Sequence, residues 1–143
     1  SHTYSAHPVA CAAGVSVLKE ISKISTLNNI ENLGIKLLNK LLEEFRDCPN
    51  IGNIRGRGLF IGLEIVSNNI TKDSFDPKNK IHARIKKNAL DLGLMVYPMG
   101  GTIDGINGDH VLLAPPYIIN DNHIDEIAKK LKLSITKAVL EIK

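Results

Sequence analysis

The sequence contains no tryptophan, and only 4% of its residues are aromatic. A stacking platform for single-stranded nucleic acid needs several aromatic rings, so this kind of binding surface is disfavoured. The 18 Lys and Arg residues are scattered among 15 Asp and Glu residues, which leaves a formal net charge of only +3 and no basic stripe. We therefore expect no nucleic-acid partner.

Cysteine is also scarce, since Cys11 and Cys48 are the two in the sequence. They lack CxxC spacing and signature neighbours, so we expect two reduced thiols in a cytoplasmic protein and no thiol nucleophile. No apolar run reaches the roughly 18 to 20 residues of a membrane span, so no membrane partner is expected. His2, His7 and His110 lack the spacing of zinc ligands, and we predict no metal site.

The composition is otherwise that of an ordinary globular domain, with 43% hydrophobic and 23% charged residues among 143. A chain of this length can bury one core without disulfides. It opens on Ser-His-Thr-Tyr, without an initiator Met and within sequence that is already patterned. We interpret it as part of a longer protein, with further chemistry expected upstream.

Hydrophobic periodicity predicts four helices. They run from about Pro8 to Ile24, from Leu27 to before Pro49, from about Ile81 to a stop at Gly93, and from an Asn120 cap to Ile142. Short apolar runs predict three strands, namely Gly58–Val66, Leu94–Tyr97 and Val111–Leu113. The last two flank the glycine-rich segment Gly100–Asp109, which indicates a hairpin with a long tip.

The predicted order is thus helix, helix, strand, helix, strand, strand, helix. This order fits an α+β fold with two layers, a small antiparallel or mixed sheet and helices on one face. It contains no internal repeat and no linker.

Two segments are candidates for binding an anion. Thr3 and Ser5 place hydroxyls just ahead of a helix start, where free N–H groups favour a phosphate, although Ser5 could equally be the N-cap of that helix. Arg55 and Arg57 could clamp a carboxylate through their guanidinium groups. Spacing alone favours the simpler interpretation, in which these are surface arginines at a turn into a strand.

Three motifs together resemble a known family. They are His2-Thr3-Tyr4-Ser5-Ala6-His7-Pro8, then Arg55-Gly56-Arg57-Gly58-Leu59 with Gly62-Leu63-Glu64, and then Leu112-Leu113-Ala114-Pro115-Pro116 before a capped helix. Their order and separations are similar to the C-terminal part of class III pyridoxal-phosphate aminotransferases, the omega-amino acid transaminase group. The resemblance covers essentially the whole chain.

The resemblance implies the C-terminal small domain of a fold type I enzyme. Residues 1–25 would be a phosphate-contact loop and interdomain helix, and residues 26–143 the small domain. The large domain with the Schiff-base lysine would lie upstream, so no catalytic residue is expected in this chain, which would not transaminate alone. In this family the threonine that matches Thr3 reaches across a homodimer to the phosphate of the partner subunit's cofactor, and we assign His2 to the same cofactor site.

One departure from the family concerns the substrate. Many omega-transaminases carry a carboxylate-binding arginine where this sequence has Tyr97, so Tyr97 is our candidate substrate-binding residue, in an apolar or hydrogen-bonding pocket. Because a neutral phenol offers no charged pair of donors, weak discrimination between carboxylated and uncharged amines is expected unless another arginine reaches the pocket. Arg55 and Arg57 precede a different strand, and we do not expect them to substitute.

The sequence therefore supports one leading hypothesis and one alternative. The leading hypothesis is a cytoplasmic, homodimeric aminotransferase that uses pyridoxal 5'-phosphate to transfer an amino group from an amine or amino acid to a 2-oxo acid. The alternative is a non-catalytic α+β interaction or ligand-sensing domain, which the helix and strand content alone would allow.

Overall fold

The computed structural model describes Thr3 and residues 5–142, with only the backbone at position 24. These residues form four α-helices, four strands and a 3₁₀ turn at Pro77–Asn79. The helices are α1 (Pro8–Ile21), α2 (Ile24–Glu44), α3 (Ile81–Asp91) and α4 (Asp121–Leu140). The strands are β1 (Ile51–Arg57), β2 (Phe60–Ile65), β3 (Tyr97–Gly100) and β4 (Asp109–Leu113).

The strands of the described residues make one antiparallel sheet in the order β1-β2-β4-β3. Two hairpins build it: β1 pairs with β2, β3 pairs with β4, and β2 and β4 join the hairpins at the centre. This arrangement confirms the predicted α+β fold and the predicted hairpin around the glycine-rich tip.

The sequence pattern missed strand β1. Its residues alternate poorly, because Gly52, Asn53 and Gly56 are weak strand formers and only Ile51 of this strand is buried. An edge strand with so little apolar character gives no period-2 signal. The strand predicted over 58–66 begins at Phe60 in the structure. Gly58 has a positive φ of 55° and belongs to the turn between β1 and β2.

Other boundaries also differ from the prediction. Strand β3 is Tyr97–Gly100 and not Leu94–Tyr97, because the register with β4 pairs Tyr97 with Leu112 and Gly100 with Asp109. Helix α1 ends at Ile21, and α2 already begins at Ile24. The extended backbone of Lys23 separates the two helices, and no glycine or proline in the sequence marks that break.

The core lies between one face of the sheet and helices α2, α3 and α4. The strands contribute inward positions such as Ile61, Leu63, Ile65 and Val111, all almost fully buried. Each helix meets them with a stripe at three- and four-residue spacing. These stripes are Leu33, Leu37 and Leu41 in α2, then Ile81, Ile85 and Ala89 in α3, and Ile124, Ala128, Leu131 and Ile135 in α4.

Helix α2 passes very close to the turn between β1 and β2. A Cβ added to Gly34 would stand 2.3 Å from the carbonyl oxygen of Gly58, so only glycine fits there. Helix α1 packs differently. It contacts α2, but none of its described residues is buried.

Candidate functional site

The face of the sheet opposite the helices is open, and its residues follow from the strand register. Arg55 pairs with Gly62, Gly62 with Leu112, and Leu112 with Tyr97. Directly opposed residues in antiparallel strands point to the same face, so these four form one line across the whole sheet. We call Arg55, Gly62, Leu112 and Tyr97 the central row.

A second row runs beside the central row on the same face. It consists of Asn53, Glu64, His110 and Met99, again paired from strand to strand. The open face therefore combines apolar side chains with a cation, a carboxylate, an imidazole and a phenol.

Tyr97 stands at the edge of this face and is 61% exposed. It lines a cleft of about 890 Å³ between the end of the sheet and the first turns of α4. Most of its other lining residues are apolar, among them Phe60, Met95, Leu112 and Ile118, and α4 adds His123, Glu126 and Lys130. The chain thus has room for the apolar part of a small molecule beside the Tyr97 phenol.

His110 is a half-buried titratable group on the open face, opposite Glu64. Burial lowers its pKa, the Asp109 carboxylate opposes that shift, and the Arg55 guanidinium adds to the lowering. His110 is therefore neutral at neutral pH, and a neutral imidazole can both donate and accept a hydrogen bond.

A His–Asp pair holds the glycine-rich hairpin to helix α3. His82 Nδ1 lies 2.6 Å from Asp109 Oδ1, and Asp109 is only 6% exposed. The ring of His82 packs over Gly100, where a Cβ would stand 2.6 Å from it. Sequence reasoning missed this pair, although a carboxylate at the inward position that Asp109 shares with Val111 and Leu113 signals a buried partner.

The start of α1 is capped by its own chain. His7 is the N-cap, its Nδ1 accepting the Ala10 N–H at 3.4 Å and its carbonyl accepting the Cys11 N–H at 2.9 Å. Ser5 is therefore not the N-cap, contrary to that alternative. Pro8 has no N–H, so this helix start retains few amides for an outside anion.

The predicted site residues lie on different elements. Thr3 is exposed and precedes α1, whereas Tyr97 lies on β3 in the cleft. His2 falls outside the described residues. Arg55 belongs to β1, a strand that the sequence did not reveal, and so shares the open face with Tyr97.

Residues 1–135 match the family model for aminotransferase class-III. The chain therefore belongs to the class III aminotransferase family, as the motifs predicted. An uncharacterized aminotransferase from Schizosaccharomyces pombe is 47% identical over 137 residues, which cover 96% of this chain and 30% of that protein. Gamma aminobutyrate transaminase 3, chloroplastic, from Solanum lycopersicum is 33% identical, over 90% of this chain and 23% of its own length.

Solved structures agree with the fold. A PLP-bound aminotransferase mutant from Vibrio fluvialis has a TM-score of 0.81 at 29% identity, over 95% of this chain and 28% of its own. A transaminase from the marine bacterium Virgibacillus has a TM-score of 0.87 at 24% identity, over 100% of this chain and 31% of its own, which supports the fold alone.

The chain spans less than a third of the length of each of these relatives. Those relatives are aminotransferases, which favours an aminotransferase domain over the non-catalytic alternative. Within the described residues, no helix combines the length and apolar character that crossing a bilayer requires.

Proposed function

We propose that this chain is the C-terminal small domain of a pyridoxal-phosphate-dependent transaminase. The enzyme transfers an amino group from an amine or amino acid to a 2-oxo acid. Residues 1–25 form the phosphate-contact loop and interdomain helix, and residues 26–143 the small domain, beside a large upstream domain. The match of residues 1–135 to the class III family, over less than a third of each relative, carries this proposal.

The chemistry of Thr3 fits one contact to the phosphate of pyridoxal phosphate. Its side chain is an O–H donor on an exposed residue, so an outside group can approach it. A phosphate takes several donors, and the amides of Ala10 and Cys11 already bond to His7. The chain thus offers one hydrogen-bond donor to a phosphate, and other segments of the protein must supply the remaining donors.

When bound, pyridoxal phosphate supplies the electron sink that makes amino transfer possible. The Schiff-base lysine belongs to the upstream domain in this proposal, so the chain contributes binding groups and no catalytic residue. Thr3 of one subunit contacts the cofactor phosphate held by the partner subunit of a homodimer, and His2 belongs to the same contact loop. A cytoplasmic location completes the proposal.

Tyr97 contributes to the substrate site in this proposal. It stands between the open face of the sheet and the apolar cleft, beside Leu112 and Phe60. Its phenol can orient a polar group by one hydrogen bond while the apolar side chains of the cleft contact the apolar part of the substrate. The name of the Solanum lycopersicum relative, a gamma aminobutyrate transaminase, suggests amines distant from a carboxylate as donors to try first.

The experiment is to assay the full-length protein, loaded with pyridoxal phosphate, with omega-amino acids and simple amines and with pyruvate as acceptor. We expect alanine to form in step with consumption of the donor. Borohydride reduction followed by peptide mapping should place the cofactor on one lysine upstream of residue 1. No amino transfer from any donor, or a single stoichiometric adduct on a lysine within residues 1–143, would contradict the proposal.

A further inference from the structure

Arg55 has hydrogen-bonding capacity to spare on the open face. Its Nη1 donates to Asn53 Oδ1 at 3.2 Å, a neutral partner. Among the described residues, no carboxylate lies within ion-pairing distance of its guanidinium. Glu64, the acid on the same face, holds its carboxylate near Gly52, 2.8 Å from where a Cβ would stand. Most of the five N–H donors of Arg55 thus remain for another acceptor.

Gly62 carries no side chain between Arg55 and the apolar end of the central row. A Cβ at Gly62 would stand 3.3 Å from Leu112 Cδ2 and 3.9 Å from the Arg55 carbonyl oxygen. The Leu112 side chain therefore leans over Gly62 and forms an apolar surface between Arg55 and Tyr97. Three strand spacings separate the Cα atoms of Arg55 and Tyr97, about 14 Å, and the long arginine side chain covers part of that distance.

His110, in the row beside the central row, shows where the Arg55 guanidinium lies on this face. The Arg55 guanidinium is close enough to lower the pKa of His110 further than burial alone does. Because His110 is neutral, the cations at this part of the face are Arg55 and Arg57, which opposes Phe60, and Arg55 is the one in line with Leu112 and Tyr97. An arginine binds a carboxylate well, since its planar donors match the two oxygens.

We infer that Arg55 binds the carboxylate of an amino acid or 2-oxo acid substrate whose apolar part lies over Leu112 toward Tyr97. The inference rests on the proposed function, which puts Tyr97 in the substrate site. It also revises the sequence-based expectation that Arg55 lies outside this site. That expectation was formed without β1, and β1 brings Arg55 into the central row.

The first experiment compares kcat/KM for 5-aminopentanoate and for butylamine, its decarboxylated analogue, in the full-length enzyme. Arg55→Ala should lower the value for the acid by about tenfold to a hundredfold and the value for the amine much less, because butylamine has no carboxylate. Arg55→Lys keeps the charge without the paired donors, and its loss should be smaller. Arg46→Ala is the matched control, because this exposed arginine follows α2, away from the open face.

A binding measurement separates this inference from the proposed function. Pentanoate should bind the wild-type protein at least about tenfold more tightly than Arg55→Ala by calorimetry, whereas pentanol should bind both equally. Equal pentanoate binding, with an unchanged acid preference, would overturn the role of Arg55 while amino transfer stands. If no donor reacts, the proposed function fails, and the loss or retention of pentanoate binding in Arg55→Ala still decides the role of Arg55.

A rescue variant tests whether Arg55 and Tyr97 serve one site. In the Arg55→Ala background, Tyr97→Arg should restore the preference for the acid by about tenfold or more, because it returns a guanidinium to the same row. In the wild-type background, Tyr97→Arg should raise the preference for the acid by less, because Arg55 already binds the carboxylate. An equal gain with and without Arg55 would place the two residues in separate sites and overturn the inference.

Discussion

Among single residues, the proposed contact of Thr3 with the cofactor phosphate is the simplest to test. A hydroxyl that donates to a charged phosphate contributes about 1.5 to 3 kcal/mol. Thr3→Ala in the full-length enzyme should therefore weaken cofactor affinity by roughly tenfold to a hundredfold, as measured by equilibrium titration with pyridoxal phosphate.

The matched control for this position is Thr3→Ser, which keeps the hydroxyl and should retain most of the affinity. Thermal unfolding of the cofactor-free protein should be the same in all three, because Thr3 is exposed and His7 caps α1 without it. Cofactor affinity that does not change in Thr3→Ala would show that the phosphate is bound without this loop.

His110 makes stability depend on pH. Its pKa in the folded protein lies below the ordinary value of 6.5, chiefly because burial disfavours the charged ring. At pH values near and below 6.5, the imidazole is protonated more in the unfolded chain than in the folded one. The free energy of unfolding therefore falls as the pH drops toward the folded pKa, and it stops falling below that pKa. In urea unfolding, the free energy of unfolding should fall less between pH 8 and pH 5.5 in His110→Gln than in the wild type. An identical loss in both proteins would count against the buried, neutral state of His110.

At the scale of elements, the contact between α2 and the turn after β1 depends on Gly34. A methyl group there would meet the backbone of Gly58 and not a flexible side chain, so the helix or the turn must move. Gly34→Ala should therefore lower the free energy of unfolding by about 1 to 3 kcal/mol, the usual cost of overpacking, in chemical denaturation of the protein.

Gly14 provides the matched control within α1. A Cβ at Gly14 meets nothing within 4 Å, and its backbone is helical. Gly14→Ala should thus be neutral or stabilise by up to about 1 kcal/mol, through the better helix propensity of alanine. If Gly34→Ala were as stable as Gly14→Ala, the close packing of α2 on the turn would be wrong.

The helices were predictable because burial imposes a period on their sequence. The stripe through Leu33, Leu37 and Leu41 is visible in the chain and lies in the core as expected. Strand β1 was not predictable, since an edge strand with one buried residue has no such period. The pairing of His82 with Asp109 and the alignment of Arg55 with Tyr97 depend on how segments far apart in the sequence pack and pair. The spacing of residues within one segment does not determine this.

At the scale of the whole molecule, helix α1 presents an apolar surface that the other described residues leave largely uncovered. Val9, Val15 and Leu18 are 71%, 52% and 62% exposed, and none of the described α1 residues is buried. An apolar helix is stable in water when another surface covers it. The proposed large domain and the partner subunit are the surfaces that would do so, which agrees with a chain that spans less than a third of each relative.

Mixing of subunits tests whether Thr3 acts across the homodimer. One parent carries Thr3→Ala, and the other carries an alanine in place of the upstream Schiff-base lysine. In a mixed dimer, the subunit that keeps its lysine receives an intact Thr3 from its partner, so one of the two sites is complete. At a cofactor concentration that leaves both parents nearly inactive, the mixed dimers should therefore recover up to about half of the wild-type activity per dimer. If Thr3 instead served its own subunit's cofactor, neither site of the mixed dimer would be complete, and mixing would restore no activity.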